Sequence, residues 1–333
     1  MSKSEELRKR LEAVNRGPIP AQEDADESSV RKDLRRRIHK SRKAKRTDAE
    51  EGQVEQKPPA EPIVFPRDLP IPKAPPLPYI SARGPHIELE EAVEGANLPA
   101  PGGSAVFFVE RRIGGPDDTW AGLSETLAKA LASKNSGLWV ELQRIGAPDD
   151  LRPEDMVFFD LETTGLSSSP LFLIGTMIWD GAGLVTRQYF ARDYSQEPAA
   201  VELFLGLTAG RRLLVSFNGK TFDQPFVRTR AAANSISCRF DMAHLDLLHV
   251  ARRLWRHRLP DCKLQTLESC ICGRMRHGDI PGHLIPDAYH DYVRTGNAAH
   301  MVAVLQHNLL DLITMADLIV RLPGSGAEAP TGP

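Results

Sequence analysis

Apolar residues concentrate between residues 105 and 320, and their spacing changes along the way from strand-like to helix-like. Val157–Gly165 reads VFFDLETTG, an apolar strand that carries two carboxylates and ends at T-T-G. Leu171–Trp179 and Leu184–Ala191 are further apolar stretches, with Asp180 and Gly181 as turn residues between them. Three strands joined by short turns predict an antiparallel meander. The pattern then predicts a helix over Pro198–Leu207, a strand over Leu213–Phe217 and a helix over Phe222–Ala233. Cys238–His244 reads as a fifth strand, Asp246–His257 as a helix, and a long amphipathic helix begins near Ala298. Upstream, Ala105–Arg112 has strand character and Trp120–Ser133 helix character. A meander followed by alternating helix and strand predicts an α/β protein whose mixed sheet is flanked by helices.

Chemistry enters with the first of these strands. Side chains alternate faces along a strand, so Asp160 and Glu162 point the same way and Leu161 the other. Adjacent carboxylates repel, and a fold tolerates them mainly where a cation neutralises them. Hard oxygen ligands suit Mg²⁺ or Mn²⁺. Two later stretches carry further acids. Leu213–Asp223 (LLVSFNGKTFD) places Asn218 and Gly219 in a turn and Asp223 in the first turn of a helix. Gln306–Asp317 (QHNLLDLITMAD) places His307 and Asp311 four apart, on one helix face.

Strand D-x-E, then N-x4-D, then H-x3-D, in that order, resembles the three exonuclease motifs of the DEDD superfamily over roughly residues 150–322. The stretches beginning at His244 (HLDLLHVARRLW), Cys262 (CKLQTLE) and Asp279 (DIPGHLIP) are similar to segments of the YprB-type RNase H-like family. The resemblance implies an RNase H-like fold and removal of nucleotides from 3′ ends of single-stranded DNA or RNA. It places Asp160, Glu162, Asp223 and Asp311 on the metal-binding carboxylates and His307 on the general base. It further implies two Mg²⁺ or Mn²⁺ ions, with Asp160 bridging both. Asn218 meets the second motif's asparagine. Lys220 is a candidate phosphate contact, and Thr163 with Thr164 a candidate for the contact at the sugar 2′ position. One departure stands out: such families usually place a histidine base five residues before the last aspartate, whereas four is the tyrosine spacing. A structure-selective endonuclease and a recruitment protein built on the same fold are the alternative functions. Asp246, between His244 and His249, reads as a helix cap rather than a ligand.

Composition adds the appendages. The chain has 333 residues and a net charge of −2, yet Arg31–Arg46 holds ten Lys and Arg against Asp33 alone. Arg35, Arg36, Arg37, Lys43 and Arg46 thus make a basic arm able to engage a phosphate backbone or a protein partner. Pro58–Pro78 carries nine prolines and reads as a semi-rigid spacer, a second candidate surface for a protein partner. The expected layout is a disordered arm (1–56), a proline-rich linker (57–86) and an N-terminal extension packing on the nuclease domain (87–149). The nuclease domain (150–322) and a disordered tail (323–333) complete it. No apolar run reads as long enough to span a membrane, and MSKSEELRKR lacks the apolar core of a secretory signal. Four cysteines form no disulfide framework or zinc spacing and are expected to be buried and reduced, in a cytoplasmic protein.

Overall fold

The computed structural model describes residues 86–114, 120–166 and 169–324, all within the second of two units, Ile71–Pro333. The basic arm, with Arg35, Arg36, Arg37, Lys43 and Arg46, the proline segment and residues 325–333 lie outside the described residues.

Seven strands make one mixed sheet. They are β1 (Ala96–Pro99), β2 (Ala105–Arg112), β3 (Met156–Thr163), β4 (Leu171–Trp179), β5 (Leu184–Phe190), β6 (Leu213–Ser216) and β7 (Ala243–Asp246). Their order is β1-β2-β5-β4-β3-β6-β7. The meander β3-β4-β5 is antiparallel, and β2 continues it antiparallel along β5. β6 and β7 then run parallel to β3. The expected mixed sheet is therefore present, and residues 96–112 contribute two of its strands. β4 is buried along both faces, as its mostly apolar sequence requires.

β7 lies later than its apolar pattern indicates. Pairing with β6 begins only at Ala243, opposite Leu213, because the four-residue partner sets where a ladder can form. Cys238 and Phe240 still pack into the core, but outside the ladder.

Helices cover both faces. On one side, α4 (Glu197–Thr208) and α5 (Asp223–Ala233) pack on Val157, Phe159 and Leu161. On the other lie α2 (Leu123–Ala132), α3 (Gly137–Arg144), α6 (Leu247–Trp255), α7 (Leu264–Cys270) and α9 (Met301–Val320), against Met156 and Phe158. The short α1 (Leu89–Ala92) and α8 (Ile285–Thr295) close an aromatic cluster in which Phe172 stacks on Tyr289 at 3.9 Å.

α9 corrects the membrane expectation. Ala298–Val320, 23 residues, is long and apolar enough to cross a bilayer, yet most of it is buried inside the protein. A helix clamped between a sheet and other helices is apolar nearly all round, because it has almost no solvated face. The cysteine expectation is corrected in part. All four are free, but only Cys272 is buried, and it lies past the end of α7, which closes at Cys270.

One buried ion pair ties the α4 layer to the sheet. Glu197 accepts both Arg230 Nε and Arg230 Nη2 at 2.6 Å, and takes the Leu171 N–H at 2.9 Å and Asn234 Nδ2 at 3.2 Å. Glu197→Ala removes the carboxylate that all four donor groups share. It is expected to lower unfolding free energy by about 3–5 kcal/mol, measured by urea denaturation. A loss under about 1 kcal/mol would show that the pair is solvated.

Candidate active site

A short pairing opens the cleft. β6 pairs with β3 only through Phe158, so beyond that residue the β6-facing edge of β3 is open. Asp160 and Glu162 stand on this free end, on the face of Phe158 and under α9. The register of β3 against β4 shifts between Glu162 and Thr163. Such an irregularity re-aims the strand end. Asp223, buried in the first turn of α5, closes the gap from the other side, beside the Leu161 backbone. The site thus lies outside the carboxyl ends of the parallel strands, where open α/β sheets hold ligands.

α9 completes the cluster with His307 and Asp311. The structure brings together Asp160, Glu162, Asp223, Asp311 and His307, and their charges act on one another. Burial comes first in raising all three of the sheet-side acids. Asp160 is pushed well up, then further by Asp311, Glu162 and Asp223. Burial and nearby acids push Glu162 to about 8, against the opposing pull of His307, and Asp223 to about 7. For His307, burial favours the neutral ring, but the Asp279 hydrogen bond and the charges of Asp311 and Glu162 outweigh it and raise its pKa to about 9. With these acids alone around it, the imidazole favours its protonated form at neutral pH.

These shifts fix a sign. A folded pKa above the unfolded one gives stability that is fully present below the unfolded value and lost as pH rises through the folded one. For Glu162 the window runs from 4.5 to about 8, and for Asp223 from 3.8 to about 7. His307 acts in the same direction, up to about 9. Without divalent ions, the protein is expected to lose on the order of a few kcal/mol between pH 5 and 8. Thermal melts in EDTA at a series of pH values check this; a midpoint that rises with pH contradicts it.

Four partners of the site escaped the motif reading. Arg276, from the loop after α7, has a 5% exposed side chain and is held by Asp311 Oδ1 at 2.5 Å, Glu268 Oε2 at 2.5 Å and Asp279 Oδ2 at 3.2 Å. Asp279 Oδ1 meets His307 Nδ1 at 2.9 Å, while His307 Nε2 lies 3.7 Å from Asp311 Oδ2. The fully buried Asn308 donates from Nδ2 to Asp160 Oδ2 at 2.9 Å and accepts Gln188 Nε2 at 2.9 Å. It can do so because Gly175, in register between Asp160 and Gln188, leaves room: a Cβ there would lie 1.9 Å from Asn308 Oδ1. The sequence held signals for both. An amide inside an apolar helix needs a partner, and a glycine inside an apolar strand marks close approach.

The second motif is built by its backbone. Asn218 adopts a left-handed conformation (φ 66°), and the N–H groups of Asn218 and Lys220 donate to Asp246 at 2.8 and 3.0 Å. Asp246 also caps α6 through the Leu248 N–H, as its sequence context indicates. The side chains of Asn218 and Lys220 are exposed, and the Thr163 hydroxyl donates to the Gly165 carbonyl at 2.8 Å. Phe222 packs with Phe226 in the core.

The donor set fits divalent cations. Clustered, desolvated carboxylates with raised pKa values are what a bound cation relieves. Arg276 and His307 supply the positive charge that Asp311 meets here. Among the described residues, no three His, Cys, Asp or Glu side chains already close on one point.

Comparison with known proteins gives the family. A family model described as the RNase_H superfamily matches residues 157–323. An uncharacterized protein, YprB, of Bacillus subtilis (strain 168) is 32% identical over 173 residues, 50% of this chain and 42% of YprB. The chain therefore spans less than half the length of that relative. Among solved structures, the family B DNA polymerase of the hyperthermophilic archaeon Pyrobaculum calidifontis is similar over 49% of this chain and 24% of the polymerase, with 17% identity and a TM-score of 0.40.

Proposed function

The chain belongs to the RNase_H superfamily, and from that premise we propose that it is a DEDD-type, metal-dependent 3′–5′ exonuclease acting on single-stranded DNA or RNA. The observation that carries this reading is the convergence of Asp160, Glu162, Asp223 and Asp311 with His307, at the open end of β3 beneath α9. Those four carboxylates would hold Mg²⁺ or Mn²⁺. Bound there, the cations would supply Lewis-acid stabilisation of the negative charge that develops at the phosphate in phosphodiester hydrolysis.

The chain's own groups divide the remaining work. Asn308 fixes the Asp160 carboxylate, so the acid expected at the centre of the site does not swing. His307 Nε2 faces the carboxylates and is the group in reach to take a proton from an attacking water. That role needs a neutral ring, and cations on Glu162 and Asp311 would weaken the negative field that raises His307. The exposed side chains of Lys220, Arg252 and Arg256 would contact substrate phosphates, sequence-independently. Asn218 and Thr163 would contact the terminal nucleotide, and the basic arm would concentrate the enzyme on nucleic acid or on a protein partner. The layout of arm, linker, extension and catalytic domain is part of the proposal, as is a cytoplasmic setting, which four unpaired cysteines suit.

Cation binding should also reverse the alkaline loss of stability. At pH 8, millimolar Mg²⁺ or Mn²⁺ is expected to raise the thermal midpoint, by RT ln(1 + [L]/Kd) in free energy, and at pH 5 much less. An equal shift at both pH values would place the ions elsewhere.

The direct test uses 5′-labelled single strands of DNA and RNA with Mg²⁺, Mn²⁺ or EDTA, beside Asp160→Ala and Asp311→Ala. The expected result is a metal-dependent ladder shrinking from the 3′ end, absent in both variants. Discrete internal cuts would replace exonuclease by endonuclease, and no cleavage with retained binding would make the protein a recruiter.

A further inference from the structure

The D-I-P-G segment has no part in the metal chemistry, yet it reaches the centre of the site. Asp279 lies in the loop between α7 and α8, and its neighbours are anchored: Ile280 is buried in the aromatic cluster, and Pro281 leads into the turn Gly282–Leu284. Its carboxylate is held on both oxygens. Oδ2 accepts Gln265 Nε2 at 3.1 Å and Arg276 Nη1 at 3.2 Å, and Oδ1 meets His307 Nδ1 at 2.9 Å. The side chains of Asp279 and His307 are only 9% and 11% exposed.

We propose that Asp279 is the positioning residue for His307: it fixes the imidazole through Nδ1 and so turns Nε2 toward Asp311 and the reacting phosphate. The inference rests on the exonuclease reading for its catalytic meaning, but not for the contact. It also accounts for the four-residue spacing of His307 and Asp311. Helix register alone leaves an imidazole several rotamers; here a loop carboxylate from 28 residues upstream selects one. A carboxylate that accepts a hydrogen bond from the Nδ1–H of a neutral imidazole leaves Nε2 free to accept a proton. Asparagine at 279 has one acceptor oxygen for three donors. Its amide N–H₂, if turned to His307, would demand the opposite tautomer.

The test is a double-mutant cycle with Asp279→Asn, His307→Ala and both together, followed by single-turnover cleavage of a labelled strand. Asp279→Asn is expected to lower kcat by about 10²-fold or more, with KM and the Mg²⁺ midpoint within about twofold. In the His307→Ala background it should cost nothing further, since it acts through that ring. The same factor in both backgrounds overturns the proposal, as a general structural role would produce it. ¹⁵N spectra of the His307 ring give a readout independent of activity: a slowly exchanging Nδ1–H in the native protein, lost in Asp279→Asn. If the native protein cleaves nothing, the exonuclease reading fails while the ring spectra still decide the contact. If Asp279→Asn does not fold, the native spectrum decides alone, and an unprotonated or freely exchanging Nδ1 refutes the inference.

Discussion

Asp160→Asn is expected to abolish metal-dependent cleavage while making the ion-free protein more stable. The two effects have one cause. Asp160 is forced up in pKa by burial and by Asp311, Glu162 and Asp223, so its charge is a cost that folding bears. Asparagine keeps the volume and a carbonyl oxygen for the Asn308 amide, but carries no charge for the neighbours to repel. At pH 8 in EDTA its thermal midpoint should exceed that of the native protein. Activity should fall by about 10³-fold or more, beyond the roughly 10²–10³ that a single neutral oxyanion donor contributes, because a ligand is lost. Cleavage assays and melts on the same preparation check both halves. A variant less stable than native at pH 8 would mean that Asp160 makes favourable contacts outweighing its repulsion. A variant that still cleaves would remove Asp160 from the site.

Gly175→Ala should damage both stability and activity. The added Cβ would lie 1.9 Å from Asn308 Oδ1 and 2.6 Å from its Cγ, on a central strand with no slack. Either β4 shifts or Asn308 leaves, and with it the hydrogen bonds to Gln188 and Asp160. A destabilisation of about 1–3 kcal/mol or more is expected, together with lost cleavage even where the variant stays folded. Gly206→Ala, in α4, is the control. Nothing lies within 4 Å of its added Cβ, so the change should be neutral or stabilising by up to about 1 kcal/mol. Equal stability of the two variants in urea would show that Asn308 moves freely and does not position Asp160.

Why did the motif residues stand out in the sequence while their supports did not? Asp160 and Glu162 break an apolar strand, and Asp311 breaks an apolar helix. A charge inside an apolar run is visible without any fold. Arg276 and Asp279 sit in a loop rich in glycine and polar residues, where charge is unremarkable until the loop is seen to fold under α9. Asp246 lies between. Its place before an apolar helix identifies the cap, but its grip on the Asn218 and Lys220 N–H groups depends on β7 lying beside β6.

Local patterning alone determined the meander, the succession of helices and strands after it, and the shared face of Asp160 and Glu162. Each follows from the period of the side chains along a few consecutive residues. Only the tertiary structure decided where β7 begins, that a 23-residue apolar segment is a core helix, and that Asn308, Arg276 and Asp279 serve the site. A ladder's limits depend on a partner strand, and a helix's burial on what surrounds it. The charge state of His307 depends on acids from β3, α9 and a loop after α7. Those groups are brought within hydrogen-bonding or Coulomb range by the packing of α9 across the open end of the sheet, a juxtaposition that no spacing along the chain encodes.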